Sequence, residues 1–480
     1  MLTTKTILGA GWAVSSRLAG RLTDFVTLLV LARALTPADF GLTAIAMTLT
    51  VIVETVLEVP LIVALTRLKC VTKSHLDTAF TLGVLRGLLL SFVVLLAAWP
   101  FARIYHDDRL ITLVVALTIA PIARSLYSPS MVKYIRQMSF RQGFIAEFLG
   151  KIISSAVAIA VAYFGGGYWA IAAGSVSSPV ACTLVTYLIA PYRPKLSLSK
   201  FSEFAAFLGW FSTAQVASAL SWQFDRILLG YSLTKSQLGQ YTMASDLSVL
   251  PTQSMIGPAM QPLIAAFSSI HDDRERLRSA YLKASRFTML LAAPTCIGMS
   301  LTSDMIIDVL LGSKWKEAAV YLQWLALSTV LNAYYQPLHS LALATNRTDL
   351  VFRLNFLDLC SRILLVSLGL YFYSLPGVIV SRGAISLIMF IFSLLAARYL
   401  IGIKVVSEVA NLWKVAAAGA AMAVFVLILR HELTGMDLNA FLALGLTAAF
   451  GAAVYIGALF LLGVQFKDYV PGAFIGSAGS

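Results

Sequence analysis

GAGWAVSSRLAGRLTDFVTLLVLAR, residues 9–33, is long enough to cross a bilayer as one helix. It carries three charges in its middle: Arg17, Arg21 and Asp24. Spaced four and three residues apart, they share one helix face. If the helix begins near residue 10, Arg21 lies roughly 16 Å along it, near the middle of a ~30 Å hydrocarbon core. A charge at that depth costs at least about 3 kcal/mol. Such residues face a protein interior or a watery cavity, so the stretch predicts a helical membrane protein that moves something anionic.

The remaining sequence extends that reading. Of 480 residues, 59% are hydrophobic and 12% charged, with a mean hydropathy of +0.83. A soluble domain is about 25% charged, so most of this chain belongs in lipid. The expected fold is an all-α polytopic membrane protein with about fourteen spans. The first six lie near 9–33, 41–65, 79–100, 110–132, 143–164 and 168–190. The next six lie near 205–231, 240–264, 284–311, 319–343, 350–372 and 375–399, followed by 412–430 and 438–464. Spans 1, 5, 7, 8 and 11 are the least hydrophobic and are expected to face inward. A cleaved signal peptide is not expected, because the charges interrupt the place of its apolar region.

With a cytoplasmic N-terminus, 20 of the 36 Lys and Arg residues fall in cytoplasmic segments and 7 on the opposite side. This positive-inside bias predicts both ends in the cytoplasm. It also reads the net charge of +13 as a topology signal, and not as a nucleic-acid surface. Connections no longer than about 20 residues leave no soluble catalytic domain, which argues for a transporter and against an enzyme. The four cysteines and five histidines are scattered, predicting neither disulfide nor metal site. No cofactor is expected. Without a GxxxxGK[ST] loop, energy is expected from an ion or proton gradient or from consumption of the product.

Two blocks of the chain repeat. Leu35-Thr36, Gly41 and Pro60 recur as Leu233-Thr234, Gly239 and Pro258, at an offset of 198; Pro129, Phe148-Leu149 and Ile171 recur as Pro337, Phe356-Leu357 and Ile379, at an offset of 208. The expected organisation is two six-helix parallel repeats, 1–200 and 201–402, related by an axis along the membrane normal. Two accessory helices at 403–465 and a short tail at 466–480 follow. Transporters built this way hold substrate between halves and work by rocking.

The intramembrane charges form the candidate site. Arg17 and Arg21 lead as anion ligands, since guanidinium stays charged and its fork matches phosphate. Arg86 on span 3 is either cavity-lining or snorkelling to the interface. Asp24, Asp225 and Asp246 are candidate coupling or cavity acids. Pro251, Pro258 and Pro262 after Asp246 should kink or break span 8. Glu54 and Glu58, on one face of span 2, could instead bridge the arginines. Glu147 with Lys151, and Asp358 with Arg362, have the i,i+4 spacing of pairs that neutralise each other. Arg124, Arg353 and Arg382 are expected to snorkel. His339 beside Tyr334, Tyr335 and Pro337 is more often packing than a sugar-stacking cluster.

The segment Arg33-Ala-Leu-Thr-Pro-Ala-Asp-Phe-Gly41 resembles the "AR-x-L-x-P-x-DFG" segment of bacterial polysaccharide-transport (Wzx-type) flippases, within the multidrug/oligosaccharidyl-lipid/polysaccharide exporter superfamily. PYRPKL at 191–196, DRILLG at 225–230, HDDRERLRSAYL at 271–282, LLGSKW at 310–315 and ATNRTDL at 344–350 follow in family order. The resemblance implies an undecaprenyl-pyrophosphate-linked oligosaccharide as substrate, with the polysaccharide polymerase and glycosyltransferases of the pathway as partners beside membrane lipids. It places Arg17 and Arg21 where related lipid II flippases hold pyrophosphate, and aligns Asp225 with the Asp of the family's "LD-x-LLIG" segment. A drug/cation antiporter of the same superfamily is the chief rival and would want an acidic cavity. A multispan polymerase or ligase would want a large outer loop, which is missing here; a scaffold role in an assembly machine is the third alternative.

Overall fold

A computed structural model of the chain describes residues 19–57, 61–68, 70–137, 139–433 and 438–464. The readings that rest on Arg17, Glu58 and the 466–480 tail lie outside these residues. Every regular element among them is helical. The first unit of the chain holds α1 (19–34), α2 (Pro37–Val56), α3 (Leu61–Arg67), α4 (Lys73–Ile104), α5 (Arg109–Leu117), α6 (Ile119–Ser125), α7 (Val132–Arg136), α8 (Arg141–Tyr163), α9 (Trp169–Ile189) and α10 (Phe201–Ser232). There follow α11 (Lys235–Pro251), α12 (Gly257–Ser269), α13 (Arg274–Leu301), α14 (Ser303–Leu310), α15 (Lys316–Ala333), α16 (Tyr335–Ala344), α17 (Thr348–Ile401), α18 (Val405–Leu433) and α19 (Ala440–Leu461).

The described part of each expected span falls on helix, though several are broken. Among the described residues seven helices are long and apolar enough to cross a membrane, or nine spans if two bent pairs are included. Those pairs bend by 48° (Arg109–Ser125 with Pro129–Arg136) and 75° (α13 with α14). The break expected in span 8 is present. α11 ends at Pro251, and a π-helical turn over Thr252–Ile256 precedes α12. Proline lacks the N–H that would continue the ladder and crowds the preceding turn. α17 is likewise two arms, parted at Ser374 (φ 52°, ψ −139°) two residues before Pro376. That break separates the spans expected at 350–372 and 375–399.

The chain forms two compact units, Met1–Gly239 and Gln240–Ser480. The division falls one span later than the repeat suggests, because α10 packs on α2. There Thr48 Oγ1 donates to Gln223 Oε1 at 3.3 Å. In the first unit Leu31 and Leu35 of α1 and its loop pack on Ala158 and Ala170 of α8 and α9. In the second, Met289 and Leu290 of α13 form one core with Leu412, Val415 and Met422 of α18 and Tyr455 of α19.

The repeated segment has a local cause. Thr36 caps α2, accepting from the Asp39 N–H at 3.3 Å while Asp39 Oδ2 accepts from the Thr36 N–H at 3.0 Å. The same reciprocal box recurs 198 residues on between Thr234 and Gln237, at 3.2 and 3.3 Å. Pro37 at the first helical position adds a fixed φ. The two corners also touch reciprocally. A Cβ on Gly41 would stand 1.8 Å from the Lys235 carbonyl oxygen, and one on Gly239 would stand 1.8 Å from that of Pro37. Pro37 and Lys235 are themselves 198 apart, so the contact maps onto itself when the copies are exchanged, as across a two-fold axis. Only glycine permits this approach. Gly41→Ala or Gly239→Ala should therefore destabilise the protein by about 1–3 kcal/mol. A thermal melt in detergent reads this, and an unchanged midpoint would show that the crossing is not close-packed.

Candidate functional site: a charged cavity in the first unit

α1 meets α8 along a polar seam. The Lys151 ammonium pairs with Asp24 Oδ2 and donates to the Gly20 carbonyl at 3.3 Å. One turn further along both helices, the hydroxyls of Thr27 and Ser155 are 2.5 Å apart. Steps of three residues on α1 and four on α8 keep both contacts in one line. Gly20 makes room for the lysine stem, which would lie 3.3 Å from a Cβ there.

The seam faces a cavity of about 440 Å³, within the range of small-molecule sites. A second ion pair stands in its wall: Arg124 Nη1 of α6 on Glu54 Oε1 of α2, at 2.5 Å. Ser154, Ser175 and Ser178 of α8 and α9 extend the polar side, and Leu28, Met47 and Leu117 line the apolar side. α8 and α9 can approach so closely because their contact is small. A Cβ on Gly150 would stand 2.9 Å from the Ser178 carbonyl oxygen, and Ser154 Oγ donates to the Gly174 carbonyl at 2.7 Å. The cavity thus presents two cations, each held by a carboxylate, and a row of hydroxyls.

Several expectations are corrected by this geometry. Lys151 does not pair with Glu147 one turn away on its own helix. It reaches across to Asp24 of α1. Glu54 answers Arg124 of α6, so Arg124 lines the cavity and does not merely snorkel. The positive excess of span 1 is absent from the described lining, where Asp24 and Glu54 balance Lys151 and Arg124. Arg21 is exposed on α1 and lies outside that lining.

The other candidates are dispersed. Arg86 donates to the carbonyls of Leu57 at 2.6 Å and Glu54 at 3.2 Å, closing the C-terminal end of α2. The Asp358–Arg362 pair forms as expected, at 2.7 Å and largely buried on α17. Asp225 is buried on α10, and Asp246 lies on an exposed face of α11. Tyr335 stacks at a tilt on His339, centroids 5.7 Å apart, and bonds Asn355 at 3.2 Å, which is packing between helices.

Residues 30–320 match the family model described as "Polysaccharide biosynthesis protein". The chain belongs to this family. Among curated relatives it is 25% identical over 327 residues to "Succinoglycan biosynthesis transport protein ExoT" of Rhizobium meliloti, covering 66% of this chain and 65% of that one. It is 23% identical to "Lipopolysaccharide biosynthesis protein WzxC" of Escherichia coli, covering 73% and 72%. With "Teichuronic acid biosynthesis protein TuaB" of Bacillus subtilis it shares 24% identity, covering 96% of each. Its fold is that of "Lipid II flippase MurJ, inward closed conformation" (TM-score 0.74, 15% identity, 96% of this chain and 99% of that one). A multidrug transporter of the MATE family and MOP superfamily also aligns, with TM-score 0.59, 13% identity, and 81% and 98% covered.

The two ion pairs make a direct test possible. Lys151→Met should destabilise the protein by stranding Asp24, and Asp24→Asn in the same chain should restore much of the loss. A double-mutant cycle on thermal melts is expected to give a coupling of about 0.5–3 kcal/mol. Additive losses would mean that the pair carries no net interaction.

Proposed function

We propose that the chain flips undecaprenyl-pyrophosphate-linked oligosaccharide units across the bacterial inner membrane by alternating access, for exopolysaccharide or lipopolysaccharide synthesis. It is a multi-pass membrane transport protein of polysaccharide biosynthesis, and relatives named as transport proteins and a lipid II flippase fold support the substrate class. The observation that carries the reading is the pair of cavity cations, Lys151 and Arg124, each held by an acid that a stronger anion could displace.

The chemistry follows from charge balance. A pyrophosphate dragged through lipid would lose its hydration at prohibitive cost, and a polar cavity open to one side at a time removes most of it. Arg124 offers the fork geometry that phosphate prefers, and Lys151 offers a point charge. When the anion takes both cations, Asp24 and Glu54 are left as bare carboxylates. A proton or other coupling cation taken up there restores neutrality, so anion binding and cation uptake favour each other. Arg17 and Arg21, read from the sequence, are further candidate anion ligands, and Asp225 and Asp246 further candidate acids. The prenyl tail stays in lipid, and glycosyltransferases and a polymerase supply and consume the glycan. A drug antiporter fits less well, because both cavity acids already hold a cation of the protein.

The test is flipping of an undecaprenyl-pyrophosphate oligosaccharide in proteoliposomes. Lys151→Ala with Arg124→Ala, and separately Arg17→Ala with Arg21→Ala, should each lower the rate by about tenfold or more, the loss of at least one charge-assisted bond. Lysine at 17 and 21 should rescue in part. Full flipping by the alanine variants would remove the anion-relay reading.

A further inference from the structure

The second unit holds a buried acid that no ion pair answers. Glu408, in the first turn of α18, is fully buried. Its Oε2 accepts from the Tyr334 hydroxyl at 2.7 Å, and its Oε1 has no hydrogen-bond partner. Tyr334 lies at the α15–α16 junction, its ring edge-on to Phe390 of α17 with centroids 5.0 Å apart. α13 contributes three more buried hydroxyls without a partner, those of Tyr281, Ser285 and Thr288. The hydroxyl of Tyr281 neighbours those of Tyr334 and Ser285. The cations nearest in sequence and packing are directed elsewhere. Arg286 Nε donates to the Asn411 carbonyl at 3.0 Å, Lys414 Nζ to that of Gly463 at 3.5 Å, and Lys404 is exposed. From α19, Tyr455 donates to the Leu290 carbonyl at 3.3 Å.

A buried carboxylate with one neutral donor and no counter-charge is costly by several kcal/mol, and the cost disappears if the group takes up a cation. The hydroxyls named here are neutral and buried. A proton is the cation that needs no further room there. We propose that Glu408 is a proton-binding site, carrying its proton on Oε1 and releasing it when α18 moves off α13. The proton's place stands on this geometry alone; any part in driving transport rests on the flippase reading.

Infrared spectroscopy of the purified full-length protein, in H2O and D2O, tests the site without any transport assay. Wild type should show a protonated carboxylic-acid C=O band at neutral pH that Glu408→Gln removes, the amide still accepting from Tyr334. Tyr334→Phe deletes the donor that favours the ionised form, so that variant should hold the proton about tenfold more tightly and keep the band to higher pH. Should Glu408→Gln fail to fold, the Tyr334→Phe titration decides alone, and an unmoved titration overturns the proposal. No Glu408-dependent band between about pH 5 and 9 would also overturn it. So would a sodium-dependent thermal stabilisation lost in Glu408→Gln, which would assign a sodium ion in the proton's place.

Discussion

A charge inside a bilayer must be answered by another charge, by water or by a proton, and the placement of these helices follows from that demand. Asp24 of α1 is answered by Lys151 of α8, with Thr27 and Ser155 completing the seam. Glu54 draws α6 to α2 through Arg124. Arg86 satisfies the last carbonyls of α2, where backbone groups would otherwise face hydrocarbon. The cavity is what remains between helices tied together by these groups. Its polarity is a consequence of how the bundle is held.

Much of this was legible in the sequence, because the membrane makes hydropathy a strong signal. The spans, the break at Pro251 and the duplicated corner at 35–41 and 233–239 all have local causes: apolar length, a missing N–H, and a capping box with a glycine two residues after it. Asp358–Arg362 was legible because both partners sit on one helix. Asp24–Lys151 and Glu54–Arg124 were not, since periodicity along one helix says nothing about which other helix lies opposite. The reading that Glu147 neutralises Lys151 failed for this reason. Glu408 escaped notice because it sits between the expected spans, where a carboxyl looks solvated; the cap of α17 at Gly402 (φ 69°) turns the chain so that it is buried instead.

Functional meaning comes from joining two independent lines. Family membership and the flippase fold narrow the class to transport proteins of polysaccharide biosynthesis. The described cavity adds that each of its two cations is held by an acid. On the proposed function, such an arrangement avoids a permanently charged cavity. It also explains why a cationic excess is unnecessary in the described lining.

The central claim is that the space between α1, α2, α6, α8 and α9 is an aqueous path that substrate enters. Site-directed thiol labelling tests it most directly, with cysteine at position 154 or 178 in a chain whose Cys70, Cys182, Cys296 and Cys360 are replaced. The account predicts that a membrane-impermeant reagent reacts there from one side of the membrane, and that a pyrophosphate-linked lipid slows the reaction. Failure to react from either side, or a rate indifferent to the lipid, would contradict it.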